Sequence, residues 1–369
     1  DYCTGLKMTN TKFDKLFDGP PRKPESKISQ KEMDIAASIQ KITEEVVIKL
    51  SKNIYKETKL DNLCLAGGVA LNCVANGALI KEGIFKNIWI QPASGDAGGA
   101  LGAALSVFYM MFNNSRLIKN TDSMNGSYLG PSYKNDEILN SLNNSKAIFE
   151  QHSQEKIIEI TAKNISEGKA VGWMNGKMEF GPRALGNRSI IADPRSSKMQ
   201  KLLNLKIKYR ESFRPFAPSI LREDLNKWFD LNNDSPYMLL VANIISNKKL
   251  EMSKEQSALF GIDKLNIERS SIPAVTHVDY SARIQTVHKD TNPAYHKLLS
   301  SFKKITGCPI LVNTSFNIRG EPIVCSPEDA FRCFMGTDLD ILVIENFILF
   351  KNKQDAKLKE DYKDKFNLD

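Results

Sequence analysis

The residue types that could do chemistry concentrate in residues 171–220, where Arg183, Arg188, Arg195, Lys208, Arg210 and Arg214 stand in Gly/Pro turns or just ahead of β-type apolar runs. A solvated helix face would instead carry Lys and Glu at helical spacing. Guanidinium groups offer rigid two-pronged forks to phosphate and carboxylate, and each hydrogen bond to a charged group contributes about 1.5–3 kcal/mol. Several such groups around one hollow suit a polyphosphate or an acyl phosphate. The plainer reading pairs the same arginines with Glu179, Asp193 and Glu211 on a surface, where ion pairs are weak. Local sequence leaves both readings open.

Further candidates lie in turns. Gly67-Gly68 lets a backbone approach a ligand closely, with Asn72 one helical turn beyond, and the same pair serves equally as a packing turn. Asp96, inside SGDAGG, stands where a carboxylate can reach a metal ion or a ligand hydroxyl, and also where it can cap the next helix. Asn313-Thr314-Ser315-Phe316-Asn317 sets a run of hydrogen-bonding side chains after the apolar residues 310–312.

With 369 residues, 25% of them charged, the composition is that of an ordinary globular protein with room for two cores, and a soluble enzyme is the default class. The net charge of +8 is spread among acidic residues, which favours anionic ligands in general and does not single out nucleic acid. Six cysteines (Cys3, Cys64, Cys73, Cys308, Cys325, Cys333) form no CxxC pair, and Cys64 and Cys333 lie in apolar runs, so buried thiols in a reducing, cytoplasmic setting are expected. The four histidines form no HxxxH or HExxH pattern. No signal peptide is visible and the longest apolar stretch, near residues 101–112, is too short to span a bilayer, so no membrane partner is expected.

Positioning these groups takes alternating strands and helices. After a polar opening, residues 1–27, Ser29 and Glu32 form a capping box and Ile35, Ile39, Ile42, Val46 and Leu50 recur at helical spacing, which predicts a helix with its apolar stripe against a sheet. Strand 63–65, turn 66–68, helix 69–81, strand 87–91, turn 93–99 and helix 100–112 make an α/β unit with a largely parallel sheet, where ligands bind at the carboxyl ends of strands. Residues 113–144 read as a connector. A second unit opens with a helix from Ser153 that Gly168 stops, then strand 170–173. Helix 223–229, strand 237–245, a polar insertion at 248–271, strands 274–278 and 283–287, helix 295–306 and strand 310–312 follow. A helix capped by Ser326, a last strand 341–350 and a charged tail 351–369 complete the chain.

LCLAGGVALNCVANG, QPASGDAGGALGAAL, MEFGPRALGNRSIIADPR, YRESFRPFAPSIL, PAVTHVDYSARIQTV and CPILVNTSFNIRGEPIVCSPEDA occur in the order of one family, within a match that runs from near residue 1 to about residue 350. Together they resemble the O-carbamoyltransferases of the nodulation-factor and antibiotic-tailoring type. The resemblance implies an α/β fold: the C-terminal half of an actin/hexokinase-like (Kae-like) domain at residues 1–125, followed by a YrdC-like α/β domain at residues 126–369. It further implies two steps. Carbamoyl phosphate and ATP give carbamoyl-adenylate and pyrophosphate in the YrdC-like part. The Kae-like part passes the carbamoyl group to a hydroxyl of a sugar or other small acceptor, near a divalent metal, Fe2+ or Mg2+.

Carried over residue by residue, the resemblance assigns the adenylate site to Arg183, Lys208, Arg214, Arg283 and Ser315, with Asn313 as a neighbour on the same strand end. Gly67, Gly68 and Asn72 fall to the nucleotide-receiving segment and Asp96 to the metal. The family's further N-terminal half, with its histidine ligands, has no counterpart in this reading. A fragment or short form is therefore expected, in which adenylation survives and transfer is impaired. Two other classes stay open: an RNA-binding YrdC-like module and an actin-fold sugar kinase. Acceptor identity and oligomeric state stay open as well, a homodimer being one option.

Overall fold

The computed structural model describes residues 9–359 apart from 24, 25, 27, 119, 120, 260, 261 and 266. Two sheets organise it. Around the smaller lie α1 (Thr11–Leu16), α2 (Gln30–Thr58), β1 (Asn62–Leu65), α3 (Cys73–Lys81), β2 (Asn87–Ile90) and α4 (Asp96–Ser106). Around the larger lie α5 (Asn135–Asn144), β3 (Glu150–Gln151), α6 (Gln154–Ser166), β4 (Val171–Met174), β5 (Arg188–Ala192), α7 (Met199–Leu202), β6 (Ala217–Leu221) and β7 (Leu240–Asn243). The larger part continues through α8 (Lys254–Ala258), α9 (Ile262–Leu265), β8 (Ser281–Val287), α10 (Pro293–Thr306), β9 (Ile310–Ser315), α11 (Pro327–Met335), β10 (Ile341–Ile344) and β11 (Phe347–Phe350).

The capping residues do what their types predict. The Ser29 N–H donates to the Glu32 carboxylate at 2.7 Å, and Ser326 accepts from Asp329 N at 3.2 Å with Pro327 opening the helix. The apolar stripe of α2, however, does not meet a sheet. Ile39, Ile42, Val46 and Leu50 are about half exposed, while the adjoining face buries Val47 and Tyr55 against Leu63, Leu79 and Phe85. The physical reason is width: β1 and β2 pair in parallel as a sheet of two strands, too narrow to cover more than one face of this helix.

Other boundaries move for local reasons. Asn72 accepts from Ala75 N at 3.1 Å and caps α3, so residues 68–71 form a separate 3-10 turn. The SGDAGG segment is helix rather than turn from Asp96 onward, with Gly95 as N-cap. Residues 113–144 contain α5, whose Ile138 and Leu142 are fully buried. The expected strand 274–278 is a 3-10 turn, Pro273–Val275, and the last strand is a hairpin that turns at Glu345 with φ 50°. Cys64 is exposed, contrary to its apolar surroundings in sequence, whereas Cys308 and Cys333 are buried. The tail is two short 3-10 turns as far as it is described; residues 360–369 of that expectation lie outside the described residues.

The larger sheet has nine strands in the order β3-β11-β10-β4-β5-β9-β6-β8-β7. Every residue of β4, β5 and β6 is buried, including the polar Arg188, Ser189 and Ser219. Helix α10 packs on α6 and over β6 and β9; α11 packs on α5 and over β4 and β10. Because β9 runs antiparallel to both β5 and β6, the start of β5, the end of β9 and the start of β6 lie at one end of the sheet. Strand β8 runs parallel to β6 with Gln285 opposite Ser219, which brings Arg283 to that same end.

The two sheets meet where α3 lies on β7. Asn76 Nδ2 donates to the Ala70 carbonyl at 2.8 Å and to the Leu239 carbonyl at 3.1 Å. Beside it, a Cβ on Gly77 would run into the Val241 carbonyl oxygen. No helix among the described residues is long and apolar enough to cross a membrane. Overpacking of this kind destabilises by about 1–3 kcal/mol. Gly77→Ala is therefore expected to lower the free energy of unfolding in urea by that amount, and an unchanged midpoint would show that α3 does not bear on β7.

Candidate functional site

At the shared end of β5, β9, β6 and β8 the positive charges feel one another. Burial, with the charges of Arg214 and Arg283 next, pulls Arg210 down to about 10. Arg283, on β8, is pulled to about 10 by burial and then by the charge of Arg183. Lys208 falls to about 7, through burial first and the Arg210 charge second. Cations whose charges reach one another in this way lie close together, and an anion placed among them would be stabilised.

Each group reaches this cluster by a different route. Arg183 leaves the loop before β5 and points towards the smaller sheet, where one guanidinium N–H donates to the Leu71 carbonyl at 3.5 Å; its buried Nε has no partner among the described residues. Arg210 Nε donates to Asn204 Oδ1 at 2.7 Å, and its guanidinium lies over the Phe216 ring, 5.1 Å from the centroid. Arg214 pairs with Glu211 at 3.1 Å. Arg283 adjoins the Cys73 thiol at the start of α3. The Lys208 ammonium donates to the Ser315 carbonyl at 2.5 Å, Ser315 Oγ at 3.1 Å, the Asn317 carbonyl at 2.8 Å and Asn317 Oδ1 at 2.7 Å. Ser315 Oγ donates in turn to Asn317 Oδ1 at 2.6 Å. Lys208 thus pegs the end of β9 while standing at the edge of the cationic cluster.

Two arginines of the same stretch do other work. Arg188 is wholly buried and donates to the carbonyls of Asn175, Gly176, Asn187, Pro131 and Cys325, which makes it a strut between loops. Arg195 grips Asp193 with both prongs, at 2.6 and 3.1 Å. The pairing read as the plainer alternative is realised for Arg195 and Arg214 but not for Glu179. That carboxylate accepts three backbone N–H groups, from Leu185 at 2.6 Å, Asn187 at 2.8 Å and Arg188 at 3.3 Å.

Asn313 sits fully buried rather than open to a ligand. Its Nδ2 donates to Gln285 Oε1 at 2.9 Å, Ser219 Oγ at 3.0 Å and the Ala184 carbonyl at 3.2 Å. The N-capping side chain of Asn72 is also held by Gln40, at 2.9 Å. Gly67 and Gly68 are exposed at the carboxyl end of β1, and a Cβ on either would meet nothing within 4 Å. Gly67 adopts φ 97° and its N–H donates to the Ser94 carbonyl at 2.8 Å, so the ends of β1 and β2 are tied together. Asp96 is exposed in the first turn of α4. Among the described residues no three or more His, Cys, Asp or Glu side chains gather to hold a metal, so Asp96 with these neighbours does not fit a divalent ion.

Sequence reading missed Gln285, Glu179 and Tyr128 as supports of the cationic loop. A signal existed for one of them: Gln285 is polar within an otherwise buried strand, and such a residue must find hydrogen-bond partners.

A family model described as the carbamoyltransferase C-terminus matches residues 162–351, which contain all the cations above, and one described as the carbamoyltransferase N-terminus matches residues 1–105. An uncharacterized protein of Synechocystis is 57% identical over 100% of this chain and 60% of its own length. Nodulation protein NolO of Bradyrhizobium diazoefficiens is 39% identical over 90% of this chain and 57% of its own. The 3'-hydroxymethylcephem-O-carbamoyltransferase of Streptomyces clavuligerus is 31% identical over 76% and 47%. The chain spans about 60% or less of these relatives. Where the sequence reading found no counterpart to the family's N-terminal half, the N-terminus model does match, over residues 1–105.

The lowered pKa of Lys208 has a measurable sign. Between its folded value of about 7 and the ordinary 10.5, the unfolded chain holds a proton that the folded chain has released. Stability should therefore rise with pH across that window, by up to about 1.4 kcal/mol per pH unit, and be flat in this respect below it. Lys208→Met should flatten the rise. An identical slope in parent and variant, measured by urea unfolding at pH 7 to 10, would refute the assignment.

Proposed function

The chain belongs to the carbamoyltransferase family, and on that premise we propose that it activates a carbamoyl group as carbamoyl-adenylate in the cationic hollow and serves its transfer to a hydroxyl of a small acceptor. The observation that carries the reading is the convergence of Arg183, Lys208, Arg210, Arg214 and Arg283 at one end of the larger sheet. In this reading the larger sheet is the YrdC-like adenylating part and the smaller one belongs to the Kae-like transfer part.

The chemistry explains why cations suffice. Water cleaves carbamoyl phosphate to carbamate and inorganic phosphate, and a carbamate oxygen then bonds to the α-phosphorus of ATP while the bond to pyrophosphate breaks. No side-chain nucleophile is needed. Negative charge accumulates on the pyrophosphate, and preorganised cations aimed at that charge lower the barrier. Arg183 and Arg283 line the side that faces Leu71 and Cys73, which suits them to hold the adenylate where the smaller sheet can receive the carbamoyl group.

The test is isotope exchange. With ATP, carbamoyl phosphate and labelled pyrophosphate, label should enter ATP only when carbamoyl phosphate is present. Arg183→Ala should slow that exchange by about 100-fold, the usual effect of deleting one donor to developing charge, and Lys208→Ala should slow it by freeing the end of β9 that Lys208 pegs through Ser315 and Asn317. Parent-like exchange in both variants would remove the site assignment, and formation of ADP with a phosphorylated acceptor would replace the activity with that of a kinase.

A further inference from the structure

An unusual number of hydrogen bonds converge on the short main-chain segment just after Arg183. Besides the three N–H groups taken by Glu179, the Leu185 carbonyl accepts from Tyr128 Oη at 2.9 Å and from Gln285 Nε2 at 2.7 Å. Both donors are themselves oriented. Gln285 Oε1 accepts from Ser219 Oγ at 2.6 Å and Asn313 Nδ2 at 2.9 Å, which leaves its amide N–H group facing Leu185. Tyr128 Oη accepts from Asn292 Nδ2 at 3.0 Å, so its own proton is free for the carbonyl.

The segment has little slack at either side. Gly181 (φ 137°) and Gly186 (φ 106°) both adopt conformations that side-chain-bearing residues avoid. A Cβ at Gly181 would crowd the Pro92 carbonyl in the turn after β2, and one at Gly186 would enter the Tyr295 ring. Arg183 projects from the middle of this clamped arc.

We propose that Tyr128 and Gln285 are positioning residues: by holding the Leu185 carbonyl from two elements, they fix the loop that aims the Arg183 guanidinium, and anion affinity depends on them through Arg183. The inference rests on the carbamoyl-transfer reading for the identity of the anion. Angular errors at one supporting carbonyl translate into displacement of a long side chain, and small misplacements weaken preorganised contacts severalfold or more.

The test uses the whole chain and inorganic pyrophosphate as probe, with dissociation constants from titration calorimetry. Tyr128→Phe and Gln285→Met should each weaken binding by about tenfold. In an Arg183→Ala background the same two substitutions should cause no further loss, because the group they act through is gone. Parent-like affinity in Tyr128→Phe and Gln285→Met overturns the proposal, and so does an equal fold-loss with and without Arg183, which would mark a general loosening of the fold. If Gln285→Met does not fold, Tyr128→Phe carries the comparison alone, since it deletes one hydroxyl and keeps the ring. The two ideas fail separately: non-additive pyrophosphate binding without carbamoyl-phosphate-dependent exchange of label into ATP would keep the positioning role and sink the carbamoyl-transfer reading.

Discussion

Gathering like charges in a half-buried hollow is the constraint that shapes this structure. Two unit charges about 4 Å apart repel by roughly 4 kcal/mol at the effective dielectric of a protein surface. The downward pull on Lys208, Arg210 and Arg283 comes first from the loss of water around each group and then from that repulsion. It is sustained by what lies beneath. Strands β5 and β6 are buried along their length, β9 is paired on both sides, and the loops that carry the cations are tied to the sheet by side chains rather than left to diffuse. In the proposed reading, an anion placed among these groups would relieve what the fold already bears.

The same constraint explains why neighbouring arginines diverge. Arg183 and Arg188 belong to one GPRALGNR motif, and nothing in residue type separates them. What separates them is the number of carbonyls within reach. Arg188 finds carbonyls in three loops and becomes structural; Arg183 finds the Leu71 carbonyl at the edge of hydrogen-bond range and keeps a donor in reserve. The local sequence could nominate cations, but only the sheet order decides which are consumed by their surroundings.

Much of the architecture was legible because it rests on local rules. The Ser29 and Ser326 caps, the stop at Gly168, and strands β1, β2, β4, β6 and β8 follow from capping chemistry and apolar periodicity. What was not legible depends on partners distant in sequence. The 274–278 run is apolar enough for a strand yet becomes a turn, with the Ala274 N–H donating to the Pro194 carbonyl. The α2 stripe has a helical period whether or not a sheet lies beneath it. Asn313 looked like a ligand because it follows a buried strand; in fact β9 continues through Ser315, and its side chain is spent on Gln285, Ser219 and Ala184.

The position of β9 between β5 and β6 has a consequence for how the molecule comes into being. Asn313 is registered opposite both Ile191 and Ala217, residues separated from it by about a third and about a quarter of the chain. Contacts of such sequence separation close late, since loop entropy opposes them until much of the chain has condensed. A nascent or partly folded chain thus lacks the insertion that unites the cationic segments, and their gathering is a property of the finished tertiary structure alone.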